Sequence, residues 1–168
     1  ANDMVPNMLY RNDGQHFVER GLASGTSLND EGSVEAGMGV DMGDVDGDGL
    51  QDFFVTNFQW ESNTLYQNAG HGFFIDSTVP SGVHRASMAY LGFGAGFIDY
   101  DNDGDLDIFV ANGHVYDNVE QVDHASTRLI SYWLMAIVAA MNAVNAPIEA
   151  TTRSAVLSVP PAGVRNTG

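Results

Sequence analysis

Apolar residues in this chain fall in short runs rather than at helical spacing. Phe17-Val18, Phe53-Phe54-Val55, Leu65-Tyr66, Phe73-Phe74-Ile75 and Ile108-Phe109-Val110 are aromatic or β-branched, and Gly, Asn and Asp bound them. Such runs read as buried strands separated by turns. In the best-marked stretch they predict four strands, at 38–43, 53–57, 64–67 and 72–76, the last two joined by a tight Asn68-Ala69-Gly70 turn. The segments 21–33 and 78–87 then join one group of strands to the next.

The pattern repeats. Gly37-Met38-Gly39 returns 55 residues later as Gly92-Phe93-Gly94, and Val55-Thr56-Asn57 as Val110-Ala111-Asn112. Asn7-Met8-Leu9-Tyr10-Arg11-Asn12-Asp13-Gly14 returns at an offset of 56 as Asn63-Thr64-Leu65-Tyr66-Gln67-Asn68-Ala69-Gly70. Periods of this size mark solenoids and propellers, and four short strands per repeat make the blade of a β-propeller. The fold expected is therefore all-β, built of four-stranded antiparallel blades. Residues 1–20 supply half a blade, 37–77 a full blade and 92–124 part of a third. A propeller closes with roughly four to eight blades, so a partial propeller, a piece of a longer protein, is expected.

Between the first two strands of each repeat lies an acidic loop of the form D-x-D-x-D-G-x-x-D, at 44–52 and again at 99–107. Ca²⁺ is a hard cation that takes oxygen ligands. Asp at loop positions 1, 3 and 5 converges on one point if the backbone curls, and Gly at position 6 permits the curl because it has no Cβ. Position 7 would offer its carbonyl and position 9 a carboxylate. The expected ligands are Asp44, Asp46, Asp48, the Leu50 carbonyl and Asp52 in one loop, and Asp99, Asp101, Asp103, the Asp105 carbonyl and Asp107 in the other. One such loop also has a bland reading, a solvated turn, since Asp and Gly are ordinary turn residues. Two loops in register favour two Ca²⁺ sites. An EF-hand is excluded, because loop position 12 is Val55 or Val110 rather than Glu and the flanks are strands.

These loops, the apolar strands after them and the N-x-L-Y-x-N-x-G element resemble the FG-GAP/VCBS repeat family, which also builds integrin α head propellers. The run Ala111-Asn112-Gly113-His114-Val115-Tyr116 resembles the ASPIC/UnbV group of cartilage acidic protein-like chains. The resemblance covers about residues 1–124. It implies a seven-bladed propeller, calcium in the blade loops at the ligand positions named above, a secreted or surface location and no catalytic residues.

After His124 the pattern stops. Residues 129–144 are rich in Ala, Met and Ile, and Glu149 is the sole acid beyond Asp123. The tail 125–168 reads as helical or irregular and as a region apart from the repeats. It fits a helix on an open blade edge, or a sequence foreign to the fold such as a shifted reading frame. A membrane span is the poorer reading, because one needs roughly 20 apolar residues.

The chain of 168 residues has net charge −16 and no Lys, which argues against nucleic acid as a partner. Two bound Ca²⁺ would reduce that charge to −12. The absence of Cys removes disulfides and thiolate metal sites. No G-x-S-x-G or phosphate-binding motif occurs, and Gly92-Phe93-Gly94-Ala95-Gly96 precedes an acidic loop rather than a helix, so it reads as strand packing. His16, His71 and His84 read as solvated or surface positions, and a His114–His124 metal pair lacks supporting spacing. Trp60, Phe58 and Tyr66 read as blade packing before ligand surface. The expectation is a non-enzymatic, calcium-binding propeller segment of an extracellular, periplasmic or cell-surface protein. A protein or glycan would be its ligand, and open blade edges would tend to pair edge to edge. The alternative is a scaffold within a calcium-dependent carbohydrate-active enzyme.

Overall fold

The computed structural model describes residues 2–113, residue 115 and two strands in the tail. Its strands form three antiparallel sheets. The first is a ribbon of β1 (Tyr10–Asn12) and β2 (Phe17–Glu19), with Asn12 opposite Phe17. The second is a four-stranded meander of β3 (Val40–Gly43), β4 (Asp52–Val55), β5 (Thr64–Gly70) and β6 (Phe73–Asp76). The third holds β7 (Leu91–Ile98), β8 (Asp107–Gly113), β9 (Met135–Ala139) and β10 (Ala155–Ser158), again in chain order. The connecting segments carry the short helices α1 (Gly21–Ser24) and α2 (Val83–Ser87).

The four-stranded repeat is the blade expected from the apolar runs. Three details differ. The predicted Asn68-Ala69-Gly70 turn is strand: β5 continues through a bulge to Gly70, and the hairpin turns at His71-Gly72. Both turn residues have positive φ, 57° and 81°, the backbone of a two-residue type I′ hairpin. The connecting segments contain helical turns that the apolar runs do not mark. The third and largest difference is the tail. β9 pairs with β8, Val110 opposite Ile137, and β10 pairs with β9. Part of the tail expected to be helical or irregular therefore completes the third sheet. The exposed N–H and C=O groups of the β8 edge need partners, and that demand outweighs the helix propensity of an Ala- and Met-rich segment.

The sheets pack face to face. Phe54 and Leu65, 2% and 0% exposed, meet Ile108 and Val110 of the third sheet, with Val45, Val83, Ala95 and Phe97 filling the same core. Phe54 and Phe97 lie edge to face, centroids 6.3 Å apart. Because side chains alternate along a strand, Phe53 and Tyr66 point to the other face. There Phe53 stacks on Phe74, and the Tyr66 hydroxyl donates to the Leu28 carbonyl of the β2–β3 connection at 3.3 Å. Burial pushes the Tyr66 phenol well above its usual range, with Glu35 and Asp76 nearby adding to the effect. Polar bonds also cross between sheets: the Phe97 N–H donates to Asp41 at 2.8 Å.

The Gly-rich strands now have a physical cause. A Cβ on Gly39 would collide with the Phe93 carbonyl oxygen, and one on Gly92 would lie 2.8 Å from Thr56 Cβ. Glycine is what lets β3 and β7 approach. Of the aromatic trio 58, 60 and 66, Tyr66 is core at 1% exposed, whereas Trp60 is 59% exposed. His16, His71 and His84 are exposed as expected. His114 and His124 lie outside the described residues.

Candidate metal centres

The first acidic loop joins β3 to β4 and the second joins β7 to β8. Each is folded by its own carboxylates. In the first, Asp44 accepts the Gly49 N–H (2.9 Å), Asp46 the Asp48 N–H (3.2 Å) and Asp48 the Leu50 N–H (2.7 Å). In the second, Asp99 accepts the Asp103 and Gly104 N–H groups (3.1 and 3.2 Å), and Asp103 accepts the Asp105 N–H (3.0 Å). The curl needs left-handed backbone at two matched places: Gly47 and Asn102 (φ 74° and 59°), then Gly49 and Gly104 (φ 87° and 96°). Gly adopts it freely, and Asn is among the few other residues that do so readily.

This curl brings carboxylate oxygens of Asp44, Asp46 and Asp48 within 4.8 Å of one another, and likewise those of Asp99, Asp101 and Asp107. Four of the ten predicted ligands lie outside these sets: Asp52 is buried beneath the first loop, Asp103 is exposed beside the second, and Leu50 and Asp105 sit at exposed loop positions. No Lys or Arg is among the hydrogen-bond partners of either loop among the described residues. Asp101 is held above the ordinary carboxylate range by local desolvation and by the neighbouring Asp103 carboxylate.

The donor set suits a hard cation. Asp44 Oδ1 is buried and takes no hydrogen bond, although it belongs to a group of three carboxylates. A buried unpaired oxygen is costly, and a cation at the centre of the group would satisfy it.

Residues 44–110 match the family model of the FG-GAP-like repeat. This region is an FG-GAP-like repeat. The match runs from the first Asp of one loop, through β4 to β7, to the core Val110 of β8. No curated protein matches the chain.

The FG-GAP-like repeat holds its loops through residues that the Asp spacing does not reveal. Asn68, the second Asn of N-x-L-Y-x-N-x-G, donates its backbone N–H to Asp52 (2.8 Å) and its side-chain amide to the Gln51 carbonyl (2.9 Å). Gln67 Nε2 donates to Asp46 at 3.1 Å. The first Asn works at the opposite end of the sheet: Asn63 accepts the Asn57 N–H at 2.9 Å, as Asn7 accepts the Asn2 N–H at 3.3 Å. The recurrence of these Asn residues in sequence was the signal available for them.

Proposed function

We propose that this chain is a calcium-stabilised, non-catalytic β-propeller segment of an extracellular protein, whose loops are held in shape to meet a protein partner. The observation that carries this reading is the pair of converging carboxylate triads in equivalent loops of consecutive repeats, with the unpaired buried oxygen of Asp44 among them. Asp44, Asp46 and Asp48 would hold one cation, and Asp99, Asp101 and Asp107 the other. A bound Ca²⁺ supplies the positive charge that offsets the clustered carboxylates. The rest is done by the chain: the loop N–H groups aim the carboxylates inward, β3–β4 and β7–β8 fix the loop ends, and the core at Phe54 and Ile108 keeps the two loops at a set separation. Extracellular calcium-binding modules have dissociation constants of about 10⁻⁴–10⁻³ M, matched to the millimolar calcium outside cells. Among the described residues no helix is long and apolar enough to cross a membrane.

Calorimetric titration of the chelator-treated chain with Ca²⁺, paired with thermal melts, tests this. Two binding events and a higher melting temperature are expected; at a free calcium 100 times the dissociation constant, each site adds about 2.7 kcal/mol. No heat of binding, with identical melts in calcium and in chelator, would defeat the reading.

A further inference from the structure

Two apolar residues hold left-handed backbone at the same place in consecutive repeats. They are Met4 (φ 53°) and Trp60 (φ 69°). Trp60 lies on the connection from β4 to β5, between Asn57 and Asn63; Met4 lies between Asn2 and Asn7, a loop one residue shorter. In both loops the second Asn side chain accepts the N–H of the first. In both, the left-handed residue donates its own N–H to the connection leading to the next sheet: Met4 to the Glu35 carbonyl at 3.2 Å and Trp60 to the Met88 carbonyl at 2.9 Å. Both residues are turned outward, 61% and 59% exposed. In the third repeat Val115, third after Asn112 as Trp60 is third after Asn57, is 52% exposed.

An L side chain is strained at positive φ, where Gly would be free of strain. Such strain persists only where the surroundings over-determine it, and it gathers at functional sites. The Trp60 loop is over-determined. Asn57 Nδ2 donates to the Ser62 carbonyl at 2.8 Å, the Glu61 N–H to the Phe58 carbonyl at 3.0 Å, and the buried Gln59 amide to the Ala89 carbonyl at 3.5 Å. We infer that Met4 and Trp60 are the anchors of a protein-contact surface at the sheet ends away from the acidic loops, and that its partner is a basic protein surface offering apolar pockets. β4 runs from the first acidic loop to the Trp60 connection, which sets the end. Rigidly held Trp side chains are typical interface anchors, and Met adapts its shape to a pocket. What the repeats share here is apolar bulk, Met, Trp and Val, rather than an aromatic face, which favours a protein over a sugar ring. Asp3 adjoins Met4 and Glu61 adjoins Trp60, in a chain of net charge −16 without Lys. Carboxylates so placed are costly to bury in lipid and are complementary to a basic protein. The inference rests on the protein-partner reading above and is independent of the calcium reading.

The experiment uses the full chain in calcium and a phage-displayed library of random short peptides. Enriched peptides are expected to carry Arg or Lys beside an apolar residue, and to bind Trp60→Asn and Met4→Asn roughly ten-fold or more weakly. Phe73→Thr, which alters an equally exposed apolar residue of β6 (58%), should leave their binding unchanged. Trp60→Asn should melt at the temperature of the unaltered chain or a few degrees higher, because Asn tolerates left-handed backbone. A lower melting temperature would mark Trp60 as packing and overturn the inference. Enriched peptides that bind Trp60→Asn undiminished would also overturn it, while leaving the protein-partner reading in place. Trp60-dependent binding of phosphatidylcholine vesicles without peptide enrichment would assign the surface to a membrane, and no binding of either probe would leave it without a ligand; each result overturns the inference and the protein-partner reading together.

Discussion

Substituting Gly39 by Ala adds one methyl group where β3 meets β7. That methyl would collide with the Phe93 carbonyl oxygen and lie 3.0 Å from Thr56 Oγ1 and 3.2 Å from the Ala95 nitrogen. Two of these neighbours are backbone of the adjoining sheet and cannot rotate away. The strands must separate, at an overpacking cost of about 1–3 kcal/mol. Separation also strains the bonds that seat Thr56, namely Gly39 N–H to Thr56 Oγ1 (2.8 Å) and Thr56 N–H to the Gly39 carbonyl (2.9 Å), each worth about 1 kcal/mol net. The expected loss is roughly 2–4 kcal/mol, or about 5–15 °C in melting temperature for a chain of this length. Gly96→Ala is the control. Its methyl would meet only Phe109 Cδ1 at 3.9 Å and Asp41 Oδ2 at 4.0 Å, which is ordinary contact, and its backbone is not left-handed. Loss of freedom in the unfolded chain should make that variant neutral or more stable by about 0.4–1 kcal/mol. Thermal and urea melts in saturating calcium decide between them. A Gly39→Ala chain as stable as the unaltered one, or equal losses from both variants, would refute the claim that glycine is required for sheet-to-sheet approach rather than for strand flexibility.

Phe54→Ala removes the ring at the centre of the core between the second and third sheets and should cost about 3–5 kcal/mol in a urea melt, with calcium binding at the first loop weakened only as folding fails. His71→Asn places the preferred Asn-Gly pair in the type I′ hairpin where His71 now holds φ 57°; a gain of roughly 0.5–1 kcal/mol is expected, and a loss would show that the His side chain has an unseen partner. Glu35→Gln tests a buried carboxyl on the β2–β3 connection, which accepts the Thr64 hydroxyl at 2.6 Å and the Asn29 amide at 3.3 Å and lies near Asn57, Asp76 and Tyr66. Burial raises Glu35 above its ordinary value of 4.5. Between the unfolded and folded values the native chain holds a proton that the unfolded chain has lost, so stability falls as pH rises through that window and levels above it. The difference between the unaltered chain and Glu35→Gln should follow this fall; a pH-independent difference would sink the assignment.

The blade was legible because its punctuation is physical. Asp and Gly mark a curled loop, an aromatic or β-branched run marks a strand, and the Asn of N-x-L-Y-x-N-x-G recurs because its amide caps the same backbone groups in each repeat. The runs do not mark burial, since Phe17, Phe73 and Ile75 are 71%, 58% and 60% exposed where buried strands are expected. The converging members of the first loop, Asp44, Asp46 and Asp48, were likewise legible from spacing alone. The role of Asp52 was not, because it depends on where β5 places the Asn68 N–H, a matter of register between strands 16 residues apart. The two tail strands were hidden for a related reason. In Met135–Ala139 the β-branched pair Ile137-Val138 is set among Ala and Met, which favour helix, and its pairing is set by the edge that β8 offers. The exposed position of Trp60 was hidden too, since an aromatic residue beside a strand reads as packing until the loop geometry, with φ 69° at Trp60, turns it outward.

Motif identity and burial are separate properties in this fold. Tyr10 and Tyr66 occupy the same place in two copies of N-x-L-Y-x-N-x-G, yet Tyr66 is 1% exposed and Tyr10 54%. The difference is external to the motif. Tyr66 lies under the β2–β3 connection, whose Leu28 carbonyl takes its hydroxyl; no sheet among the described residues covers Tyr10, and its hydroxyl meets the Met8 sulfur at 3.2 Å. The second sheet thus owes its dry faces to what packs on either side of it, the β2–β3 connection over Tyr66 and the third sheet over Phe54 and Leu65, as in other repeat architectures where stability sums over nearest-neighbour interfaces. The loops sit at the strand ends, outside those interfaces. Carboxylates there can gather into clusters that would cost too much inside a core, while the packed faces of Phe54, Leu65, Ile108 and Val110 hold the clusters in place. The separation of a dry interface from a charged rim is what allows one short sequence pattern to carry both the fold and its candidate metal centres.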